Sequence, residues 1–240
     1  MKRLLQTVAN SLGYEFRRIA ARADDDPFVF AQRLIRVPVP VVFDVGAHHG
    51  ETAKRLRSLF PAATIHCFEP FPESCRLLEQ AADGDSLTQV HCLGLASRSG
   101  AATLTCNTST ATNSLLETDR LASSTWGDGL LDTNGRIEVT TTTLDAFCRG
   151  ERIDRIDLLK IDTQGAEYAV LEGSLAMLSR KAIAVIVLEM ITATTYEGQR
   201  SPADYFTLLE SLGYKFSGVF SPIYRRGLLA QCDVAFTVRS

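Results

Sequence analysis

No run of apolar residues in this 240-residue chain is long enough to cross a bilayer. The longest, Ala182 to Leu188, has the length of a buried strand, so no stable membrane insertion is expected. The chain also lacks a strong charge of either sign. A formal net charge of −3 gives no basis for nucleic acid or an anionic membrane as main partner. None of the six cysteines (67, 75, 92, 106, 148, 232) forms a C-x-x-C pair. Several sit in apolar runs and read as buried free thiols, which fits a reducing cytoplasm. Zinc-ligand spacing, a Walker loop and a Ser-His-Asp motif are all missing. There is no internal repeat and no low-complexity tail. After the basic Met1-Lys2-Arg3, Gln6, Asn10 and Ser11 interrupt the apolar pattern, so no signal peptide is expected.

With 45% hydrophobic and 22% charged residues, the chain suits a globular α/β domain. Residues 1–40 read as a helical arm, with Leu4, Leu5, Val8, Leu12, Phe16 and Ile19 at helical spacing. The arm packs on the domain, swaps between subunits of a homo-oligomer or lies on a membrane surface; the pattern leaves these open. Asp26-Pro27 marks a break, and Pro27 suits the first turn of another helix. From Val41 the pattern alternates strand and helix. Strands are expected at Val41–Val45, Thr64–Phe68, Thr88–Leu95, Ile156–Asp162 and Ala184–Leu188. Such alternation implies a mostly parallel sheet with right-handed crossovers and helices on both faces. Between about 98 and 142 the rhythm stops, and a Thr/Ser-rich insertion of hairpin pieces and loops is expected. One helix is expected to carry Ala166 through Leu178. Two final strands, Tyr214–Phe220 and Cys232–Val238, are close enough to pair as an antiparallel hairpin.

The first apolar run meets an acid and two glycines: Phe43-Asp44-Val45-Gly46-Ala47-His48-His49-Gly50. Gly46 and Gly50 permit a tight turn and close backbone approach to a ligand. The helix start that follows offers free N–H groups to an anion. The spacing is G-x-x-x-G, which departs from the dinucleotide pattern G-x-G-x-x-G. Glu69 closes the second strand, where a carboxylate can accept two hydrogen bonds from a ribose diol. Asp162 and Glu189 end the strands at 156–162 and 184–188, on the sheet edge where open α/β folds bind ligands. Each suits a general base or a metal ligand; an N-terminal helix acid is the plainer alternative for Asp162 and Glu167. Lys160 lies within a strand and needs an acidic partner. His48 sits in the glycine turn, facing either substrate or solvent. Tyr196 and Trp126 read as loop residues that stack on a substrate ring or pack on the surface.

Three segments resemble a known family. Phe43 to Gly50 is similar to the first motif of class I S-adenosylmethionine methyltransferases, and Cys67-Phe68-Glu69-Pro70 to their second. Leu158-Leu159-Lys160-Ile161-Asp162-Thr163-Gln164-Gly165-Ala166-Glu167, followed by Val170-Leu171-Glu172-Gly173, resembles the signature of FkbM-type methyltransferases. Gly227 and Cys232-Asp233-Val234-Ala235-Phe236 resemble that family's ending. The resemblance covers roughly residues 40–238 and leaves the arm unexplained. It implies a three-layer Rossmann-like methyltransferase fold over 41–240, with a mostly parallel seven-stranded sheet whose last strand is antiparallel. It also implies S-adenosylmethionine as cofactor and O-methylation of a sugar, glycolipid or secondary metabolite. On this reading Asp44, Gly46, Gly50, Glu69 and Ser97 serve the cofactor, Asp44 by orienting either the glycine turn or the cofactor's methionine part. Ser97 is the weakest of these, because an acid often stands in that stretch.

A methyl transfer needs the acceptor oxygen aligned with the sulfonium methyl and a group to take its proton. Asp162 is the first choice for that group, Glu189 the second and His48 the third. The insertion is expected to cover the acceptor and exclude water. The alternative is a metal-assisted reaction, with Asp162, Glu167 and Glu189 holding Mg2+. A nicotinamide-dependent oxidoreductase would need G-x-G-x-x-G and a catalytic Tyr-Lys set, and neither is present. A non-catalytic binding module would need no acids on the rim.

Overall fold

The computed structural model describes residues 26–238. The arm's apolar spacing from Leu4 to Ile19 and the basic start therefore lie outside the described residues. Helix α1 (Pro27–Leu34) opens as its sequence requires. Asp26 caps it, accepting from the backbone N–H of Phe28 at 2.8 Å and of Val29 at 3.1 Å, and Pro27 fills the first turn.

The chain then alternates through β1 (Val41–Val45), α2 (Glu51–Leu59), β2 (Thr64–Phe68), α3 (Pro72–Ala81) and β3 (Thr88–His91). The insertion carries α4 (Ala122–Trp126), and beyond it the chain continues through α5 (Leu144–Glu151), β7 (Ile156–Ile161), α6 (Glu167–Glu172), α7 (Leu175–Ser179), β8 (Ile183–Ile191) and α8 (Pro202–Ser211). The last strands are β9 (Tyr214–Arg225) and β10 (Leu228–Val238). Seven strands form one sheet in the order β3-β2-β1-β7-β8-β10-β9. All pairings from β3 to β8 are parallel, and β10 runs antiparallel to both β8 and β9. This is the Rossmann-like methyltransferase fold. β10 reaches an interior position because its tight turn, Arg226-Gly227 with both φ positive, feeds it back between β8 and β9.

Apolar side chains on both faces explain the continuous burial of β7, all six of whose residues are buried. One core holds Phe43, Leu159, Ile186 and Phe236; the other holds Val42, Leu158, Val187 and Ala235. Among the described residues no helix is long and apolar enough to cross a membrane.

Three local expectations are corrected. The strand expected over Thr88–Leu95 ends at His91, and Gly94–Leu95 become β4 of a second, three-stranded sheet. There β4 pairs with β6 (Thr133–Thr142), which also pairs with β5 (Gly100–Asn107). The helix expected over Ala166–Leu178 breaks at Gly173, where a Cβ would stand 2.1 Å from the Ala96 carbonyl oxygen. The free-thiol reading fails at two of the six cysteines. Cys75 on α3 and Cys92, just past β3, form a disulfide with Cα atoms 5.6 Å apart, because α3 packs back over the end of β3. Cys67, Cys106, Cys148 and Cys232 are free.

His66 and His91 lie within the first core, with ring nitrogens 3.2 Å apart and Phe43, Phe68 and Phe147 around them. Burial, reinforced by the neighbouring His91, pushes the His66 imidazole down to about 4. Its folded pKa thus lies below that of an unfolded histidine, and the neutral ring is the form the fold prefers. This contribution to stability is complete above about pH 6.5 and is lost as pH falls towards 4. Imidazole NMR signals of His66 are expected to stay those of the neutral ring at pH 5.5. A midpoint near 6.5 would contradict its burial among the phenyl rings.

Candidate active site

The central strands β1 and β7 place Asp44 opposite Lys160 in register, so their side chains share a face. Lys160 Nζ lies 2.9 Å from Asp44 Oδ1. It also donates to the carbonyl oxygens of Gly46 at 2.9 Å and Val45 at 3.4 Å. Asp44 is fully buried, and its carboxylate has no other polar partner among the described residues. Burial alone would push the Lys160 ammonium down, but Asp44, Asp162 and Glu189 hold it well above the usual range. Burial also raises the Asp44 carboxyl, against the pull of Lys160. The lysine decides the charge state, because three carboxylates face it and keep it an ammonium.

The lysine thereby fixes the glycine turn. Gly46 has φ +76, and a Cβ there would stand 1.8 Å from the Asp162 carbonyl oxygen. Only glycine allows β1 and β7 to leave the sheet so close together. The backbone N–H groups of Gly46 and Ala47 both donate to the Phe68 carbonyl at 3.0 Å, which ties the turn to β2.

A cavity of about 230 Å³ opens above these strand ends. Gly46, His48, Glu69, Leu95, Asp162 and Gln164 line it. Glu69 and Asp162 therefore border one crevice. Glu69 is held rigidly: Oε2 accepts from His48 N–H and Oε1 from Phe71 N–H, each at 2.9 Å. Each oxygen keeps a lone pair for a further donor. Burial raises this carboxyl, opposed by those two N–H groups and by Lys160. Phe68, Pro70 and Leu95 supply apolar wall beside it. A rigid acid with spare lone pairs beside an apolar wall can accept hydrogen bonds from a diol whose apolar neighbour lies on that wall.

Asp162 lies 3.6 Å from Lys160 through Oδ2, while Oδ1 accepts from Gln164 Nε2 at 2.9 Å. The same Nε2 donates to Glu189 Oε2 at 2.8 Å. Gln164 Oε1 lies 3.0 Å from the Tyr196 hydroxyl, which fixes the direction of the amide. Gln164 thus clamps two of the predicted acids together. Its role had no sequence signal beyond its place after Asp162. Tyr196 is buried rather than surface-packed, and its ring lies against Gly165, where a Cβ would meet it at 2.7 Å.

Several predicted contacts move. Asp44 and Gly50 line neither this cavity nor its neighbour. Asp44 lies beneath the turn on Lys160, and Gly50 is the left-handed N-cap of α2, packed on Leu78. Ser97 is exposed and also misses both cavities, because β4 carries Gly94 and Leu95 to the wall and leads the chain outward. His48 does line the cavity. Its Nε2 lies 2.9 Å from Thr110 Oγ1 in the insertion, and its ring stacks on His49 at 3.6 Å. Burial, then His49, pushes its imidazole down. The insertion walls this same cavity through Leu104, Thr110, Asn113 and Ser114. Glu189 lies in the adjacent cavity with its carboxylate on the amides of Gln164 and Gln231.

Carboxylate oxygens of Asp162, Glu167 and Glu189 lie within 4.8 Å of one another. The set does not fit Mg2+ as it stands. Glu167 Oε1 already accepts from the N–H groups of Thr163 at 2.8 Å and Gly165 at 3.0 Å, which makes it a turn-forming acid. Lys160 already supplies a cation beside Asp162.

The family model for the methyltransferase FkbM domain matches residues 44–216. The chain belongs to the FkbM methyltransferase family. A 2-O-methyltransferase, NoeI of Sinorhizobium fredii, is 30% identical over 175 residues, which make up 69% of this chain and 69% of NoeI. Among solved structures, the magnesium protoporphyrin IX methyltransferase of Synechocystis PCC 6803 with bound S-adenosylmethionine is 12% identical. It aligns over 99% of this chain and 97% of its own, with a TM-score of 0.47. An rRNA methylase from Streptococcus thermophilus is 10% identical over 90% and 98%, with a TM-score of 0.48. At such scores these two structures carry no weight here. This FkbM methyltransferase uses S-adenosylmethionine as methyl donor.

Replacing Lys160 by Met leaves Asp44 buried and unpaired, which is expected to cost about 3–5 kcal/mol in urea unfolding. Adding Asp44→Asn is expected to restore much of that loss. Equal stability of wild type and the Lys160→Met variant would show that the pair does not hold the turn.

Proposed function

We propose that this FkbM methyltransferase transfers the methyl group to a hydroxyl oxygen of a sugar or glycan, with Asp162 as proton acceptor. The observation that carries the reading is the shared cavity of Glu69 and Asp162. The 2-O-methyltransferase name of the relative supports oxygen as the accepting atom.

When bound, the sulfonium donor supplies an activated methyl and leaves as a neutral thioether. The chain's residues orient it and move a proton. Glu69 holds the ribose diol, and the apolar wall of Phe68 and Leu95 takes the base. Asp162 Oδ1 is engaged by Gln164, so Oδ2, which faces the Lys160 ammonium at 3.6 Å, is the atom assigned to receive the acceptor's proton. As the acceptor oxygen gains the methyl, Asp162 would take its proton, the donor leaving as the neutral thioether. Glu189 is the poorer base. Burial, then the charges of Asp162, Glu167 and Asp233, hold it well towards the neutral acid. His48 is occupied with Thr110 and ties the insertion to the glycine turn. The insertion then excludes water from the donor's cavity rather than from the acceptor.

Nucleic acid is not a proposed partner, given the net charge of −3. A cytoplasmic location rests on the four free thiols, with the Cys75–Cys92 bond as the observation against it. Homo-oligomerisation is part of the same proposal.

Asp162→Asn is expected to lower kcat by about 10²–10⁴ while calorimetry finds donor affinity little changed. Glu69→Gln is expected to weaken donor binding about tenfold or more, as loss of a charged hydrogen-bond acceptor does. Full turnover in the Asp162→Asn variant would remove that residue from the chemistry.

A further inference from the structure

A second cavity of about 220 Å³ shares Thr52, Lys160 and Asp162 with the first. It lies on the α1 and α2 side of the sheet, over the ends of β8 and β10. Its polar lining is Glu189, Asp233, Ser221 and Gln231, and its apolar lining includes Phe28 and Ile223.

The sheet register puts its acids in one row. Asp233 on β10 pairs with Glu189 on β8, and the β7–β8 register that ends at Ile161 and Leu188 brings Asp162 beside Glu189. Glu189 is spent on two glutamine amides and Asp162 Oδ1 on one. Asp233 accepts a hydrogen bond from the Ser221 side chain. Burial, then Asp162, pushes the Asp233 carboxyl up to about 6, with Lys160 opposing, so it is mostly an anion at neutral pH. The Asp233 carboxylate disfavours an anionic ligand beside it, and the oxygens of Asp233 and Asp162 offer acceptors to hydroxyls. Phe28 offers an aromatic ring and Ile223 an aliphatic side chain for apolar C–H groups. An acceptor with hydroxyls on its edge and C–H groups on its face matches both.

We propose that this second cavity is the acceptor site, that it takes a neutral sugar ring, and that Asp233 binds a second hydroxyl while Asp162 faces the reacting one. The proposal rests on the methyl-transfer reading and deepens it. It makes Asp233, on the one antiparallel strand, the residue that sets which hydroxyl reaches the methyl group.

The test uses the full chain saturated with S-adenosylhomocysteine and a set of neutral methyl hexopyranosides. Saturation-transfer NMR reads sugar binding, and calorimetry reads S-adenosylhomocysteine binding. Wild type is expected to show transfer to sugar C–H protons. Asp233→Asn and Phe28→Leu are each expected to weaken the sugar about tenfold, the loss of roughly one hydrogen bond or ring contact, with S-adenosylhomocysteine affinity unchanged. With a sugar that is turned over, Asp233→Asn is expected to raise KM and to spread methylation over more than one hydroxyl. Equal sugar binding in wild type and variants would overturn the assignment of this cavity. A parallel loss of S-adenosylhomocysteine affinity would overturn it too, by showing that Asp233 serves the donor's amino-acid tail. No sugar binding by wild type with normal S-adenosylhomocysteine binding would overturn the sugar class alone. Failure of wild type to bind S-adenosylhomocysteine would overturn the methyl-transfer reading itself.

Discussion

The ion pair between Lys160 and Asp44 is the interaction on which the rest of the site depends. It bridges the two central strands where the sheet order reverses, the place at which open α/β folds bind ligands. A buried pair of this kind adds little net stability, because removing both charges from water is costly. Its value here is geometric. The ammonium reaches past Asp44 to the carbonyls of Val45 and Gly46, so the turn has one conformation. That conformation brings Gly46 against the Asp162 carbonyl and presents His48 N–H to Glu69. One buried cation thus connects the two acids of the shared cavity, Glu69 and Asp162.

Around this centre the two halves of the sheet divide the work. The β1–β2–β3 half, with β4 and the insertion, encloses the cavity that suits the donor. The β7–β8–β10 half carries a row of acids at one level of the sheet. Gln164 stands at the join, donating to both Asp162 and Glu189 while Tyr196 fixes its amide. Such a network positions carboxylates more rigidly than packing alone, because a rotation of any member would leave a buried polar group unpaired.

Much of this was legible in the sequence. Alternating apolar runs gave the parallel order, and the need of Lys160 for an acid followed from its place within a strand. Glu69 and Asp162 were legible because an acid ending a strand lies on the ligand edge by topology alone. What escaped was whatever depends on long-range placement. Asp44 reads as orienting either the glycine turn or the cofactor, and only register decides for the turn by aiming it at Lys160. Ser97 was misplaced because β4 belongs to another sheet, a pairing set by residues 133–142 that no local pattern reveals. Asp233 stood in the family-like ending without a role until β10 slotted between β8 and β9. The Cys75–Cys92 bond depends on α3 folding back over β3, which spacing alone does not show.

The most direct measurement is a crystal structure with S-adenosylhomocysteine bound. The ribose hydroxyls are expected within hydrogen-bond distance of Glu69, the base against Phe68 and Leu95, and the sulfur facing Asp162, with Lys160 still on Asp44. A ligand seated elsewhere, or bound with its ribose away from Glu69, would contradict the common crevice on which the proposed chemistry rests.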